Sequence, residues 1–347
     1  MQVLIYGAGS IGNHLAFACR ERDWEVTVVD VDSAALERMR SEIYPKRYGA
    51  WDPAIRLQLG EEAAGADLVI VGTPPDSHLE LAERALRLRP RIVLIEKPLS
   101  VPFSDFSVVE RLARETGTRV LVGYNHLLCR NTRHVEQLLA EGAIGAPITI
   151  RVSWVESWVG ILRAHPWLAG PEASYLGNWE RGGGSLCEHS HGLNLFQHFA
   201  RTLGFGEVEL VSASFDFVEQ PGSSYDRIAQ LHLRTEGGLT GLVTQDVVQD
   251  PPEKRLTIVG ADGVLSWYGA RPDSTDGVVL ESRGRREERT FVRSRPDDFR
   301  GEISHVADVL ADRELESPLS LEHGIRTMKV IDGAFRSARE RRSEGLR

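Results

Sequence analysis

The most restrictive segment of this chain is Gly7-Ala8-Gly9-Ser10-Ile11-Gly12, which fits G-x-G-x-x-G. It follows the apolar run Val3–Tyr6, opens a helical pattern over Ser10–Arg22, and leads into a second apolar run, Glu25–Asp30. Each part of this strand–turn–helix–strand unit has a physical task. Gly7 permits a tight turn, Gly9 lets backbone approach a pyrophosphate, and Gly12 lets helix and strand pack closely. The helix N-terminus then faces phosphate charge. Asp30, 18 residues beyond Gly12, stands where a carboxylate accepts bonds from ribose hydroxyls. A carboxylate there repels a 2′-phosphate, so the pattern predicts NAD rather than NADP. Gly7, Gly9, Ser10, Ile11, Gly12 and Asp30 are the first cofactor-binding candidates.

Further short apolar runs follow at Asp67–Gly72, Arg91–Glu96 and Arg119–Asn125, each with β-branched residues bounded by Gly, Pro or Asp. A helical pattern covers Ser77–Arg89, and Ser77 with Glu80 has the S-x-x-E spacing of a capping box. Continuous apolar strands alternating with helices imply a parallel sheet covered on both faces. Residues 1–125 are therefore expected to form a doubly wound α/β domain of Rossmann type. Ligands in such sheets lie beyond the carboxyl ends of the strands. That places Thr73, Pro74 and His78, after the third strand, on the nicotinamide side. It also places Glu96 and Lys97 at the cofactor edge. From position alone, Lys97 reads equally well as a surface lysine at a strand end and as a group reaching a substrate oxygen.

After residue 125 the pattern changes. Asn131–Glu141 reads as a helix stopped by Gly142, and Ile148–Trp158 as a long half-buried strand. Residues 159–184 are rich in Gly, Pro and Trp with little periodicity, a length of irregular chain that is usually functional or disordered. Ser185–Arg201 reads as a helix. Strands follow near 209–217, 227–235, 239–248, 254–260, 264–268, 278–282 and 289–293, and two helices near 298–312 and 321–340 close the chain. Residues 126–347 are thus expected to form an α+β substrate domain with a large, mostly antiparallel sheet, helices on one face, and an open face available to a second subunit.

Composition removes several function classes. With 347 residues, 41% hydrophobic and 26% charged, the chain is long enough for two globular domains. A formal net charge of −9 offers no basic stripe to nucleic acid. No apolar run approaches a membrane span. The start, MQVLIYGAGS, lacks a basic n-region and cleavage site, so no secretory signal is expected. Cys19, Cys129 and Cys187 are odd in number and without a CxxC pair, which suits reduced thiols and a cytoplasmic location. Glu188, His189, His191 and His198 match no common zinc spacing, so no metal is expected.

Oxidising a secondary alcohol needs a hydride acceptor and a base for the hydroxyl proton. Histidine, titrating near 6.5, suits the second task, and an ammonium stabilises the alkoxide-like oxygen. His191 is the candidate base, and from the residues alone it reads equally as a helix N-cap or core histidine. On one helix it would share a face with Glu188 and with Asn194. Trp154, Trp158, Trp167 and Trp179 crowd the preceding segment and read either as interior or interface packing or as faces for a sugar ring, Trp158 being the one assigned to substrate. Arg163, His165 and Arg181 in the same segment read either as solvated loop charges or as partners of a negatively charged substituent, with Arg163 the foremost. Asn125 and His126, ending a strand at the same edge, are further substrate candidates.

Taken together, Gly7/Gly9/Gly12, Asp30, Gly72-Thr73-Pro74-Pro75, Glu96-Lys97-Pro98 and Gly123-Tyr124-Asn125-His126 occur in the order of the Gfo/Idh/MocA family, the glucose–fructose oxidoreductase and inositol dehydrogenase relatives. Gly182-Gly183-Gly184, Glu188-His189-Ser190-His191 and Asn194 resemble the family's second catalytic stretch, and the resemblance covers essentially the whole chain. It implies a C-terminal sheet that forms homodimers or homotetramers, an active site built from both domains, and redox chemistry on a polyhydroxylated substrate such as a sugar or cyclitol. It also implies that Lys97 touches the reacting oxygen and that the Lys97–Pro98 peptide is cis. The family pattern Asp-x-x-x-His is departed from: Glu188 matches the Asp, but Gly192 stands four residues on, and His191 is the nearest histidine. A variant pattern, Glu-x-Ser-His-x-x-Asp, fits Glu188, Ser190 and His191, with Asn194 in place of the last Asp. Two other readings remain open on the sequence: a redox-neutral glycoside hydrolase that uses bound NAD transiently, and a non-catalytic dinucleotide-binding regulator.

Overall fold

The computed structural model describes residues 1–60, 65–164, 167–312 and 314–346. Its contacts divide the chain into two compact units. The first comprises Met1–Ser100, Ser104–Asn125 and Arg295–Glu322; the second comprises Val101–Phe103, His126–Ser294 and His323–Arg347.

In the first unit β1 (Gln2–Tyr6), α1 (Ser10–Arg20), β2 (Glu25–Asp30), α2 (Ser33–Arg38), α3 (Tyr44–Tyr48), β3 (Arg56–Leu59), β4 (Leu68–Val71), α4 (His78–Arg87), β5 (Ile92–Ile95), α5 (Ser107–Thr116) and β6 (Arg119–Val122) follow one another. The six strands are all parallel, in the order β3-β2-β1-β4-β5-β6. Strands β4 (LVIV) and β5 (IVLI) are buried at every residue, as strands covered on both faces must be. Each such side chain contributes roughly 1.5–3 kcal/mol on burial.

Two local features differ from the sequence expectation. Strand β3 has no counterpart in the apolar pattern, because it lies at the sheet edge and its sequence, RLQL, is exposed or half-exposed throughout. Ser77 makes no capping box: a 3₁₀ turn over Pro75–Ser77 precedes α4, and the Ser77 hydroxyl turns back to Thr73 Oγ1 (2.7 Å) and the Pro74 carbonyl (2.8 Å).

The helix Arg295–Ala311 belongs to this unit, far along the chain from its other parts. Phe299 stacks on His14 of α1 at 4.4 Å between ring centroids. Arg300 grips Glu21 with two bonds of 2.7 Å. Phe299, Ile303 and Val306 are buried, so the helix completes the core over the α1 side.

The second unit carries α6 (Arg130–Ala140), β7 (Pro147–Val155), α7 (Trp158–Ala164), α8 (Gly184–Glu188), α9 (His191–Thr202), β8 (Val208–Gln220), β9 (Ser223–Thr235), β10 (Thr240–Asp246), β11 (Glu253–Gly260), β12 (Gly263–Gly269), β13 (Thr275–Ser282), β14 (Arg285–Val292) and β15 (Glu344–Gly345). They form a nine-stranded sheet in the order β14-β13-β12-β11-β7-β10-β9-β8-β15. Strands β7 and β10 run parallel, and the other neighbouring pairs are antiparallel. Alternation along β9 shows the two faces: Ala229, Leu231 and Leu233 are buried, while Gln230, His232 and Arg234 are exposed. Helices α6, α8 and α9 pack on the sheet. The final helix, Leu321–Glu340, lies by β8, where Ser337 Oγ accepts from the Ala213 N–H at 2.9 Å.

The expected helix Ser185–Arg201 is two helices, broken between Glu188 and His191. The chain leaves helical geometry at His189 (φ −96°, ψ 19°). Glu188 and His191 therefore stand on different helices, and the three-residue spacing between them does not set a shared face.

Candidate functional site

The turn after β1 lies where the strand order reverses, with β2 on one side of β1 and β4 on the other. Gly7 has φ +101°, and a Cβ at Gly12 would sit 1.9 Å from the Gly7 carbonyl oxygen. These two glycines are required by the protein's own packing. A Cβ at Gly9 would meet no protein atom within 4 Å, so the loop presents bare backbone to open space at the N-terminus of α1. That helix has no acidic residue in its first turn. The donor set fits a dinucleotide pyrophosphate.

Side chains from three other places hold this turn. Asp30 Oδ2 accepts the Ala8 N–H at 2.8 Å and Oδ1 the Asp32 N–H at 2.9 Å; its remaining lone pairs are open to hydroxyl donors. Buried Asn13 donates its amide to the Gly9 carbonyl at 2.8 Å and the Ala8 carbonyl at 3.2 Å. Arg47 of α3 donates to the Ser10 carbonyl at 2.9 Å and to Ser10 Oγ at 2.8 Å. Asn13, the residue directly after Gly12, reads from sequence only as a helix interior, and Arg47 lies in a stretch with no motif; neither is a candidate on sequence grounds. Ser10 and Ile11 are half-buried, Thr73 is half-buried and Pro74 is exposed.

At the carboxyl end of β5, Lys97 is half-buried and the Lys97–Pro98 peptide is cis. His78, another cofactor candidate, is fully buried. Its ring nitrogens lie 2.9 Å from the Pro98 carbonyl and 2.8 Å from the Thr73 carbonyl. It ties the Thr73-Pro74 turn to the chain just after Lys97. Burial holds its pKa below the ordinary imidazole value, against the pull of those carbonyls.

Glu96 is buried beside a carboxyl that the sequence gives no reason to single out, Glu302 of the Arg295–Ala311 helix. A Cβ on Gly123 would lie 2.9 Å from Glu96 Oε1 and 3.0 Å from Glu302 Oε1, so glycine is what fits between them. Burial pushes the Glu302 carboxyl well above the carboxylate range, the charge of Glu96 adds to this, and the Asn125 amide, donating to Oε2 at 3.3 Å, opposes it. Asn125 is thus engaged at this pair.

In the second unit His191 opens α9 and sits among rings. Its imidazole meets His126 edge-on at 4.6 Å and lies against Trp154 at 5.7 Å. His126 meets Trp154 at 4.8 Å. Lys254 Nζ is 2.7 Å from Glu156 Oε2 and 5.5 Å from the centre of the Trp154 ring. His189 Nε2 lies 3.3 Å from the Glu156 carbonyl. Trp154, Glu156 and Lys254 therefore join the candidate site, while Trp158 packs into a buried cluster with Leu176 and Val247. Glu188 accepts from the Tyr175 hydroxyl at 3.1 Å. Asn194 is buried, its amide donating to Thr327 Oγ1 at 3.0 Å, which makes it a tie between helices. Arg163 and Arg181 are exposed; His165 lies outside the described residues.

Asp226 sets the start of α8. Its Oδ2 accepts the Ser185 hydroxyl at 2.7 Å and the Leu186 N–H at 2.8 Å, and a Cβ on Gly184 would lie 2.0 Å from its Oδ1. Burial pushes the carboxyl from 3.8 up to about 7, against those bonds. Between these values the folded chain holds a proton that the unfolded chain has released. The associated stability is complete below about pH 4 and is lost as pH rises through about 7. Thermal melts of the wild type should therefore decline across that window. Asp226→Asn should flatten the decline and melt higher at pH 8, by on the order of 5 °C; parallel profiles for the two proteins would exclude this titration.

A cleft of the second unit, about 1140 Å³, is lined by Phe103, Trp179, Phe215, Phe335 and Arg336 among others and contains none of the motif residues. Among the described residues no helix is long and apolar enough to cross a membrane, and no three His, Cys, Asp or Glu side chains gather as a metal site.

Comparison with known proteins gives matches along most of the chain. Residues 1–124 match the oxidoreductase family with an NAD-binding Rossmann fold, and residues 132–266 match the GFO/IDH/MocA C-terminal domain. The inositol 2-dehydrogenase of Rhizobium meliloti is 23% identical over 347 residues, covering 97% of each chain. Levoglucosan dehydrogenase, solved in complex with NADH, superposes with a TM-score of 0.80 at 17% identity over 100% of this chain and 99% of that one. The WlbA dehydrogenase from Bordetella pertussis, solved with NADH and UDP-GlcNAcA, gives 0.74 at 20% identity over 100% and 98%.

Proposed function

Because the chain belongs to the Gfo/Idh/MocA oxidoreductases, we propose that it moves hydride between NAD and a secondary alcohol carbon of a sugar, sugar derivative or cyclitol. The observation that carries this reading is the carboxyl edge of the six-stranded sheet. There the open Gly9 turn after β1, the Thr73-Pro74 turn after β4 and Lys97 after β5 follow three strands that are neighbours in the sheet. The names of the similar proteins, a cyclitol dehydrogenase and an anhydrosugar dehydrogenase among them, support the substrate class.

In this reading the Gly7–Gly12 turn and the N-terminus of α1 hold the pyrophosphate, Asp30 receives ribose hydroxyls, and Thr73 and Pro74 border the nicotinamide. NAD, when bound, supplies the hydride acceptor. The Lys97 ammonium donates to the substrate oxygen and stabilises its developing negative charge. His191 takes the hydroxyl proton as the carbinol hydrogen departs with its electron pair. Trp154 and His126 fix the orientation of that imidazole, and its apolar flank keeps water from the reacting carbon. Glu188, His126 and Asn125 are assigned to substrate hydroxyls, and Lys254 with Glu156 joins them. His78, Asn194 and Trp158 act as supports of the chain that carries these groups. A homodimer or homotetramer through the nine-stranded sheet is part of the same proposal.

The test is a panel of cyclitols, free sugars, anhydrosugars and glycosides with NAD. Net NADH formed with at least one free polyol or sugar is the expected result. Glycoside cleavage without net NADH would replace it by a redox-neutral hydrolase, and tight NAD binding with no turnover by a regulator.

A further inference from the structure

Arg47 approaches the cofactor turn from outside the glycine fingerprint. It lies on α3, 37 residues along the chain from Ser10, and its two terminal nitrogens bond the Ser10 carbonyl and hydroxyl. Ser10 is the first residue of α1, so this guanidinium stands at the helix end where positive partial charge already gathers. Burial lowers the Arg47 pKa, the Arg295 charge adds to this and the Tyr48 phenol opposes it; among the described residues no carboxylate forms an ion pair with Arg47.

The groups around Arg47 are mostly uncharged rings. His14, beside the pair, is pushed down to about 3 by burial and by Arg47 and Arg295, although Asp298 acts the other way. Tyr48, which bonds His14 Nδ1, is pushed up to about 12 by burial. Both are neutral near pH 7. Arg295 lies over the Phe299 ring at 5.6 Å, and Phe299 stacks on His14. The Arg47 and Arg295 guanidinium groups thus act on the same His14 ring, with the Asp298 carboxylate opposing them. The Arg47 fork on Ser10 keeps one of these cations at the N-terminal end of α1, where an anion is favoured.

We propose that Arg47 is a cofactor-binding residue: fixed by its fork on Ser10, it turns its remaining N–H groups to the dinucleotide pyrophosphate, with Arg295 as the second cation of the clamp. This rests on the reading of the Gly7–Gly12 turn as a dinucleotide site. Guanidinium suits the task because its planar donors match phosphate oxygens and its charge persists at any physiological pH.

Calorimetric titration of the full-length protein with NAD and with NADP tests it, using Arg47→Gln, Arg47→Lys, Arg295→Gln and, as a distant cation control, Arg56→Gln. Arg47→Gln should raise the Kd for NAD by about 10- to 100-fold, with Arg47→Lys in between and Arg56→Gln unchanged. NADP, which carries the same pyrophosphate, should weaken by a similar factor. Arg295→Gln should raise Kd by a smaller factor, and added salt should weaken wild-type binding more than that of the Arg47→Gln protein. An unchanged NAD Kd in a folded Arg47→Gln protein, checked by its melting curve, would overturn the clamp; so would an effect confined to NADP, which would place Arg47 at the 2′-phosphate. Should Arg47→Gln fail to fold, Arg47→Lys with wild-type affinity would overturn it as well. If the wild type binds neither dinucleotide, the cofactor reading itself fails, a result distinct from equal binding by wild type and variant.

Discussion

Lys97→Ala is expected to lower turnover on a productive polyol by about 10³-fold, while the Kd for NAD moves far less. The size follows from the task assigned to the ammonium. A donor aimed at the oxygen where charge develops is worth about 10²–10³ in rate when removed, and Lys97 adds a full positive charge to that donor. Ground-state binding of NAD is proposed to draw on the Gly7–Gly12 turn and Asp30, which the substitution leaves in place. Initial rates of NADH formation, paired with a fluorescence titration, separate the two effects. Lys97→Arg keeps the charge but spreads it over a planar fork, so it restores only a small part of the rate. Undiminished turnover in Lys97→Ala would remove this residue from the chemistry.

The second large effect is at His191. Replacement by Ala is expected to take away the proposed proton acceptor and lower turnover by about 10²–10⁴-fold. The remaining rate should climb with pH more steeply than the wild-type rate, because hydroxide takes the proton instead. His126→Ala, which removes the edge-on ring at 4.6 Å but leaves the proposed base, should keep the wild-type profile and lose a smaller factor. If His126→Ala steepens the profile and His191→Ala preserves it, the two imidazoles exchange roles.

How much of this was legible in the sequence depends on which forces act locally. Strands such as Leu68–Val71 and Ile92–Ile95 announce themselves, because a strand buried on both faces has to be apolar at every residue. The glycine turn is equally plain, since close backbone packing at Gly12 leaves no choice of residue. The edge strand Arg56–Leu59 is silent for the opposite reason: its backbone pairing makes no demand on its side chains. The tryptophans show a third limit. Trp154 shares the buried parity of β7 with Ile150 and Val152, whereas Trp158 lies beyond the strand end and packs with Leu176 and Val247. Periodicity gives the alternation, but which parity meets His191 depends on a helix more than 30 residues away in the chain. Glu302 and Arg47 are likewise set by long-range packing. Nothing beside them in the sequence marks a carboxyl that fits against Gly123 or a guanidinium that reaches Ser10. The split between Glu188 and His191 shows that helical spacing holds only while the helix itself continues.

The assignment of Arg295–Glu322 to the first unit bears on how the molecule is made. Phe299, Ile303 and Val306 come late in translation, yet they cover apolar surface on an element formed from the first twenty residues. A nascent chain emerging N-terminus first must hold that flank uncovered until nearly the whole polypeptide has left the ribosome. A gene fragment ending near residue 125 is accordingly expected to yield a sticky, chaperone-dependent product rather than a usable nucleotide-binding module.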